Sequence, residues 1–313
     1  MLYCWLPTDT QICACLTDTL LNPISEGVSR AESVHMWEIK SVSASRYRTI
    51  IKILSTKSMK TILDRIIANK QQEVQLLRQN NSIDSFIQQP LFSKATRSLK
   101  QQLSDHEFGI IAEIKRKSPS GGIISPDLNP AELGREYEES GAIAISVLTD
   151  QAYFGGSIDD LLEVRSASKL PVLRKEFIID ELQLFESKAA GADAILLIAA
   201  VLEKQQAHHL TIVAKSLGLE VVFEIHTFHE LEKLNDEVDI IAVNNRDLAA
   251  QQTSLEHSFV LAPYLPHFIP AITASGIKMV SELDALKAAG YKGALIGESI
   301  LREQHLAQLT LAV

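Results

Sequence analysis

Eight short apolar runs, starting about 20–33 residues apart, constrain the fold of this chain more than any other feature. They are Ile110–Ile114, Ile143–Leu148, Val172–Phe177, Ala194–Ile198, Val221–Ile225, Ile240–Val243, Ala271–Ala274 and Ala294–Ile296. Longer amphipathic stretches separate them, among them Pro130–Ser140, Glu181–Ala190, Glu203–Leu217, His229–Leu234, Ser281–Ala289 and Ser299–Leu309. Gly141, Gly191, Gly218 and Gly290 stand just past four of these, where a helix end favours a left-handed residue. The spacing is near the roughly 30 residues of a βαβ unit. Strands apolar on both faces belong in a parallel sheet covered by helices. Eight such units in residues 109–313 suit the lower size range of a (β/α)8 TIM barrel, about 200 residues. An open doubly wound sheet is the rival, but no glycine-rich dinucleotide turn follows the first run. The expected fold class is α/β, a (β/α)8 TIM barrel with an extra N-terminal helical segment.

That segment spans residues 59–108. Thr61 and Asp64 have the spacing of a capping box, and Ile62, Leu63, Ile66, Ile67, Val74 and Leu77 recur at mostly helical intervals to about Gln79. Residues 1–58 have a different texture. They show no clear period, and they hold all three cysteines (Cys4, Cys13, Cys15) and both tryptophans (Trp5, Trp37). They lack the basic start and compact apolar stretch of a secretory signal, and they carry too many acids for a transit peptide. We expect a dispensable or non-native leader, with the working protein starting at Met59.

A body without cysteine leaves no place for disulfides or thiol chemistry and fits a reducing, cytoplasmic setting. Cys13 and Cys15 have no later Cys or paired His at zinc spacing, so a metal is not expected. A net charge of −9 argues against nucleic acid as a partner. No apolar run approaches the roughly 20 residues of a membrane span. A phosphorylated small molecule remains compatible with this charge, because it needs only a local positive site.

In a parallel barrel the carboxyl ends of the strands share one face, where chemistry is assembled. Those ends read Glu113 and Lys115, Thr149-Asp150, Lys175-Glu176, Glu224, Asn244-Asn245-Arg246, Ser275-Gly276 and Gly297-Glu298. Alternation along a strand points Glu113 and Lys115 the same way. Singly, each is explained as a structural ion pair; converging on one rim, they describe a functional site. The glycines after strands 7 and 8 allow backbone N–H groups to approach an anion, and Ser299 suits a helix N-cap. A lysine such as Lys175 at the edge of a packed barrel can be desolvated, lowering its pKa; the alternative is a salt-bridged lysine, with Glu176 as one partner. Phe177 offers a flat apolar wall on the same side. Glu224 is either a base of raised pKa or the partner of a lysine across the rim. His226 and His229 read as loop and helix residues.

The segments IAEIKRKSPS (Ile111–Ser120), SVLTDQAYFGGS (Ser146–Ser157), VLRKEFIID (Val172–Asp180), EVVFEIH (Glu220–His226), AVNNRDL (Ala242–Leu248), ITASGI (Ile272–Ile277) and LIGESIL (Leu295–Leu301) resemble the indole-3-glycerol-phosphate synthase family. The helix Met59–Val74 resembles that family's opening segment, and residues 1–58 stay unmatched. The resemblance implies a lyase of tryptophan biosynthesis. It would close the pyrrole ring of 1-(2-carboxyphenylamino)-1-deoxyribulose 5-phosphate, then lose carbon dioxide and water, without cofactor or metal. It implies Lys175 as general acid, with Lys115, Glu113 and Glu224 serving the remaining proton transfers. It also implies that Ser118, Phe177, Leu197, Asn244 and Arg246 bind substrate, with Phe177 and Leu197 lining the slot for its ring. Ser275, Gly276, Gly297 and the backbone of Glu298 would hold the phosphate. As partners, the expectation is a small phosphorylated substrate, with the protein a monomer or in weak association with another pathway enzyme.

One position departs from the family pattern. Many members read Ser-Glu-Ser-Gly-Ile after strand 7, where this chain has Thr273-Ala274-Ser275-Gly276. A lesser difference is Gly121, where some members have lysine. Two other readings compete: a phosphosugar aldolase or isomerase using Lys175 as a Schiff base, and a barrel that has lost activity and serves as a binding or assembly subunit.

Overall fold

A computed structural model describes residues 61–247, 252–303 and 306–310. The expected leader lies outside them. Eight parallel strands close into a barrel: β1 (Gly109–Ile114), β2 (Ala144–Leu148), β3 (Val172–Lys175), β4 (Ala194–Ile198), β5 (Glu220–Ile225), β6 (Ile240–Asn244), β7 (Ala271–Ala274) and β8 (Gly293–Ile296). Each pairs with its sequence neighbours, and β8 closes on β1 with Gly109 opposite Gly293. The fold is therefore the α/β barrel expected from the spacing of the apolar runs.

Alternation along the strands divides the apolar residues into two layers. Ile111, Leu173, Leu196, Val222, Ile240, Ile272 and Leu295 fill the barrel interior. Ile110, Ile145, Ile195, Leu197, Phe223, Ile241 and Ile296 face outward into the cluster shared with the surrounding helices. This is why the runs are apolar at almost every position. At the amino end of the barrel, the helix Leu99–Asp105 buries Leu99 and Leu103 fully. A Cβ at Gly293 would lie 2.6 Å from the Gly109 carbonyl oxygen and 2.9 Å from Leu103, so only glycine lets β1, β8 and this plug meet.

Helix α1 (Ile62–Asn80) starts in a capping box, with Thr61 and Asp64 each accepting from the other's backbone N–H. Its buried stripe is Ile66, Lys70 and Val74, four residues apart, so a lysine sits in the middle of an apolar face.

Four details differ from the expected elements. The third run stops pairing at Lys175, and the chain turns at Glu176. The segment expected as a helix over His229–Leu234 is a 3-10 helix, Phe228–Lys233. The last helix begins at Glu298, one residue before its expected start. A small antiparallel pair, Lys117–Ser118 with Gly122–Ile123, folds the loop after β1 into a hairpin. The two β-residues on each side are too short to carry a readable alternation.

Candidate active site

A cavity of about 520 Å³ opens at the carboxyl ends of the strands. Its floor is Leu196, Ile198 and Leu295 of the inner layer, and α1 contributes Ile62, Leu63 and Ile66 to its wall. Phe154 and Phe177 stand together on one side, with ring centroids 6.1 Å apart and planes inclined by 37°. Such a tilted aromatic pair offers an apolar wall against which a third flat ring can pack.

Two ion pairs occupy the rim. Lys115 Nζ lies 2.6 Å from Glu113 Oε1, and Lys175 Nζ lies 3.1 Å from Glu224 Oε2. Glu224 is 2% exposed, whereas the Lys175 side chain keeps 15% of its surface open to the cavity. The second Glu224 oxygen accepts from Asn244 Nδ2 at 3.1 Å, and Asn244 Oδ1 accepts the Arg246 backbone N–H at 3.0 Å. β3, β5 and β6 thereby place one ammonium, one carboxylate and one amide in a continuous hydrogen-bonded line. His226 Nε2 approaches Glu224 Oε1 at 3.7 Å from the far side.

Burial opposes the charge on Lys175, but Glu224 and Glu113 together outweigh it and hold its pKa above the usual lysine range. Of the two readings of Lys175 the salt-bridged one fits: opposing carboxylates, not desolvation, decide its protonation. Burial likewise pushes Glu224 up, and Lys175, His226 and Asn244 reverse this, holding it below the usual carboxylate range. Glu224 is thus the lysine's partner, and its pKa is not raised. Glu176 is not that partner. It points outward, pairing with Lys70 at 2.8 Å and accepting the Thr149 hydroxyl at 2.7 Å. At neutral pH the site therefore presents Lys175 as an ammonium and Glu224 as a carboxylate.

The opposite end of the cavity suits an anion. Ser275 and Gly276 both have positive φ, 71° and 85°, so consecutive backbone groups curl into a concave turn. Ser275 holds this left-handed conformation despite its Cβ, a cost that clusters at functional turns. A Cβ at Gly276 would meet Thr253 at 2.7 Å, and one at Gly297 would meet Glu113 Oε1 at 2.8 Å. Lys278 and Arg302 add cationic side chains to the wall. The Glu298 carboxylate turns to Arg302 (3.0 Å), which also donates to the Gly121 carbonyl at 2.9 Å. Ser299 is not an N-cap: it lies inside the Glu298–Glu303 helix and donates to the Ile277 carbonyl at 2.9 Å.

Of the candidate residues named from the sequence, Glu113, Lys115, Ser118, Lys175, Phe177, Glu224, Asn244, Arg246, Ser275, Gly276, Gly297 and Glu298 all line this one cavity. Ser118 shapes the loop after β1, its hydroxyl accepting the Gly121 N–H at 2.9 Å. Leu197 does not join them. It faces the helices, fully buried, while Leu196 and Ile198 on either side reach the cavity. The run AILLI is apolar on both faces, so alternation alone does not say which leucine turns inward. Phe154, Lys278 and Arg302 were not singled out from the sequence, although two of them are cations two and four residues past Gly276 and Glu298.

The Indole-3-glycerol phosphate synthase family model matches residues 63–313. A relative bearing that name from Bacteroides thetaiotaomicron is 44% identical over 244 residues, 78% of this chain and 94% of its own length. Another of that name, from Desulfotalea psychrophila, is 43% identical over 248 residues, 78% of this chain and 95% of its own. Among solved structures, a mutant tryptophan synthase alpha-subunit from Pyrococcus furiosus has a TM-score of 0.50 at 15% identity, covering 66% of this chain and 98% of that one. At that identity the likeness concerns the fold alone.

Proposed function

The chain belongs to the indole-3-glycerol phosphate synthase family, and we propose that its rim cavity converts 1-(2-carboxyphenylamino)-1-deoxyribulose 5-phosphate to indole-3-glycerol phosphate, carbon dioxide and water. It is a ring-closing carboxy-lyase of tryptophan biosynthesis. The observation that carries the assignment of roles is the Lys175–Glu224 pair set across the cavity from the Ser275–Gly276 turn.

The substrate's phosphate sits in the turns after β7 and β8, on backbone N–H groups with Lys278 and Arg302 nearby. Fixing that end lets binding energy orient the reacting carbons. The aromatic ring lies against the wall formed by Phe154 and Phe177, and Arg246 faces its carboxylate. The ring carbon that bears the carboxylate attacks the ketone carbon. The carbonyl π electrons move to oxygen, which takes a proton from the Lys175 ammonium. Dearomatisation leaves an iminium beside the quaternary carbon, and breaking the bond to the carboxylate returns two electrons to the ring and releases carbon dioxide. The hydroxyl then leaves as water with a proton from Lys115, and Glu224 takes the proton from the adjacent carbon to complete the indole. Glu113 holds Lys115 in place at 2.6 Å. Ammonium groups stabilise each developing oxygen charge, the term that usually dominates such barriers.

A charged Lys175 is a poor amine nucleophile, which weighs against the Schiff-base reading. Among the described residues, no helix is long and apolar enough to cross a membrane. The reading includes action in the cytoplasm, tested by fractionating cells that express the protein. Its direct test is to add the carboxyphenylamino substrate to the purified full chain and follow indole fluorescence and carbon dioxide together. Trp5 and Trp37 contribute a constant background. Folded protein that forms neither product refutes the reading.

A further inference from the structure

Lys70 lies outside the cavity wall yet is 3% exposed, on the buried stripe of α1 between Ile66 and Val74. Its ammonium meets three carboxylates: Glu176 at 2.8 Å, Asp150 at 3.2 Å and Glu73 on its own helix. Burial disfavours the charge, but Glu176 and Asp150 outweigh burial and raise its pKa. A lysine this deep is costly unless its partners use it.

Those partners are the mounts of the aromatic wall. Glu176 sits between Lys175 and Phe177, and its Oε1, the oxygen nearest Lys70, also accepts the Phe177 backbone N–H at 2.8 Å. Its Oε2 accepts the Thr149 hydroxyl at 2.7 Å, tying the end of β2 to the end of β3. Asp150 caps the turn Gln151–Phe154, accepting the Tyr153 N–H at 2.7 Å, and that turn carries Phe154. One ammonium therefore touches both carboxylates that set the two phenylalanines, and one of these adjoins the acid.

We propose that Lys70 is a positioning residue for the ring end of the substrate: by gripping Glu176 and Asp150 it fixes the turns on which Phe154, Phe177 and Lys175 are mounted. This rests on the synthase reading of the cavity. It separates the ring end from the phosphate end, because the ion-pair partners of Lys70 are Glu73, Asp150 and Glu176, none of them in the turns after β7 and β8.

The test compares wild type, Lys70→Met and the double variant Lys70→Met/Glu176→Gln as full-length protein. The double variant removes one charge of each sign, so the buried cluster gains no net charge. Each folded protein is assayed for kcat, for KM and for competitive inhibition by inorganic phosphate. The expected result is a loss of at least 30-fold in kcat/KM in both variants, with the phosphate inhibition constant within twofold of wild type. Wild-type kinetics in folded K70M overturn the proposal. So does recovery of wild-type kinetics in the double variant, since Lys70 would then only balance charge. An equal weakening of phosphate inhibition also overturns it, because the whole cavity would have loosened. If K70M does not fold, the double variant carries the test alone. Wild-type protein without turnover defeats the synthase reading instead, and is thereby told apart.

Discussion

Replacing Gly297 by alanine probes whether the first ion pair holds the position assigned to it. The new Cβ would lie 2.8 Å from Glu113 Oε1, 3.0 Å from Glu113 Cβ and 3.2 Å from Lys115 Nζ. Ordinary carbon contacts begin near 3.4 Å, so the carboxylate must retreat by about 0.6 Å. Glu113 Cβ is fixed on a strand buried throughout, so only the end of the side chain can swing, toward the cavity. Lys115, 2.6 Å from that carboxylate, must follow it. A misplacement on the order of 1 Å costs up to about 100-fold in rate, which at 1.36 kcal/mol per tenfold is about 2.7 kcal/mol of barrier. Overpacking a buried site costs roughly 1–3 kcal/mol of stability, and the open cavity beside Glu113 favours the low end. At about 2–4 °C per kcal/mol for a body of this size, Tm should fall only a few degrees. The assay is indole fluorescence under saturating substrate, with a thermal melt of the same sample. We expect kcat down about 10–100-fold in protein still folded at the assay temperature. A kcat within twofold of wild type would show that Glu113 and Lys115 do not stand beside Gly297 during the reaction.

Other outcomes follow from the same geometry. Burial alone lowers Lys175, so Glu224→Gln removes the chief opposing charge and should move the alkaline limb of the kcat–pH profile to lower pH; an unmoved limb would mean another group sets it. The Lys175 contribution to stability is complete below its ordinary 10.5 and is lost as pH rises through its raised value. That of Glu224 is present above 4.5 and lost as pH falls through its lowered value, so Tm should be flat between these limits as far as this pair is concerned. Leu196→Ala should raise KM, whereas Leu197→Ala should cost about 2–5 kcal/mol of stability and leave KM unchanged, measured by kinetics and denaturant unfolding. Ser275→Gly should raise stability by roughly 1 kcal/mol while keeping phosphate affinity, because the anion is held by backbone; Ser275→Val should lose both.

Much of the barrel was legible because each strand is buried on both faces, so the eight runs stand out against amphipathic helices. The same property hid the direction of Leu197: a run without polar residues carries no marker of inside and outside. Rim residues were legible as a set, since chemistry collects where parallel strands end. Their pairing was not, because Lys175 and Glu224 are 49 residues apart and meet only through the register of β3, β4 and β5. Glu176, the nearer acid in sequence, is turned away by the pleat and by the bend after β3. The choice between a desolvated and a salt-bridged Lys175 stayed open for the same reason, since the sequence offers Glu224 as a lysine's partner without saying which lysine it meets. Lys70 carried a signal that was passed over: a charged residue four positions from apolar neighbours on both sides, inside a buried stripe. Ala274 lies fully inside the barrel, in register with Asn244, and the acid–base line through Asn244, Glu224 and Lys175 is complete without a carboxylate there.

The central claim is that the Lys175 ammonium delivers the proton that drives ring closure. The most direct measurement is single-turnover indole formation by Lys175→Ala, beside thermal protection of the same protein by substrate. The account expects turnover to fall by at least about 1000-fold while substrate still raises Tm. Turnover within tenfold of wild type, or a borohydride-trapped substrate adduct on Lys175 in the unmutated protein, would contradict it.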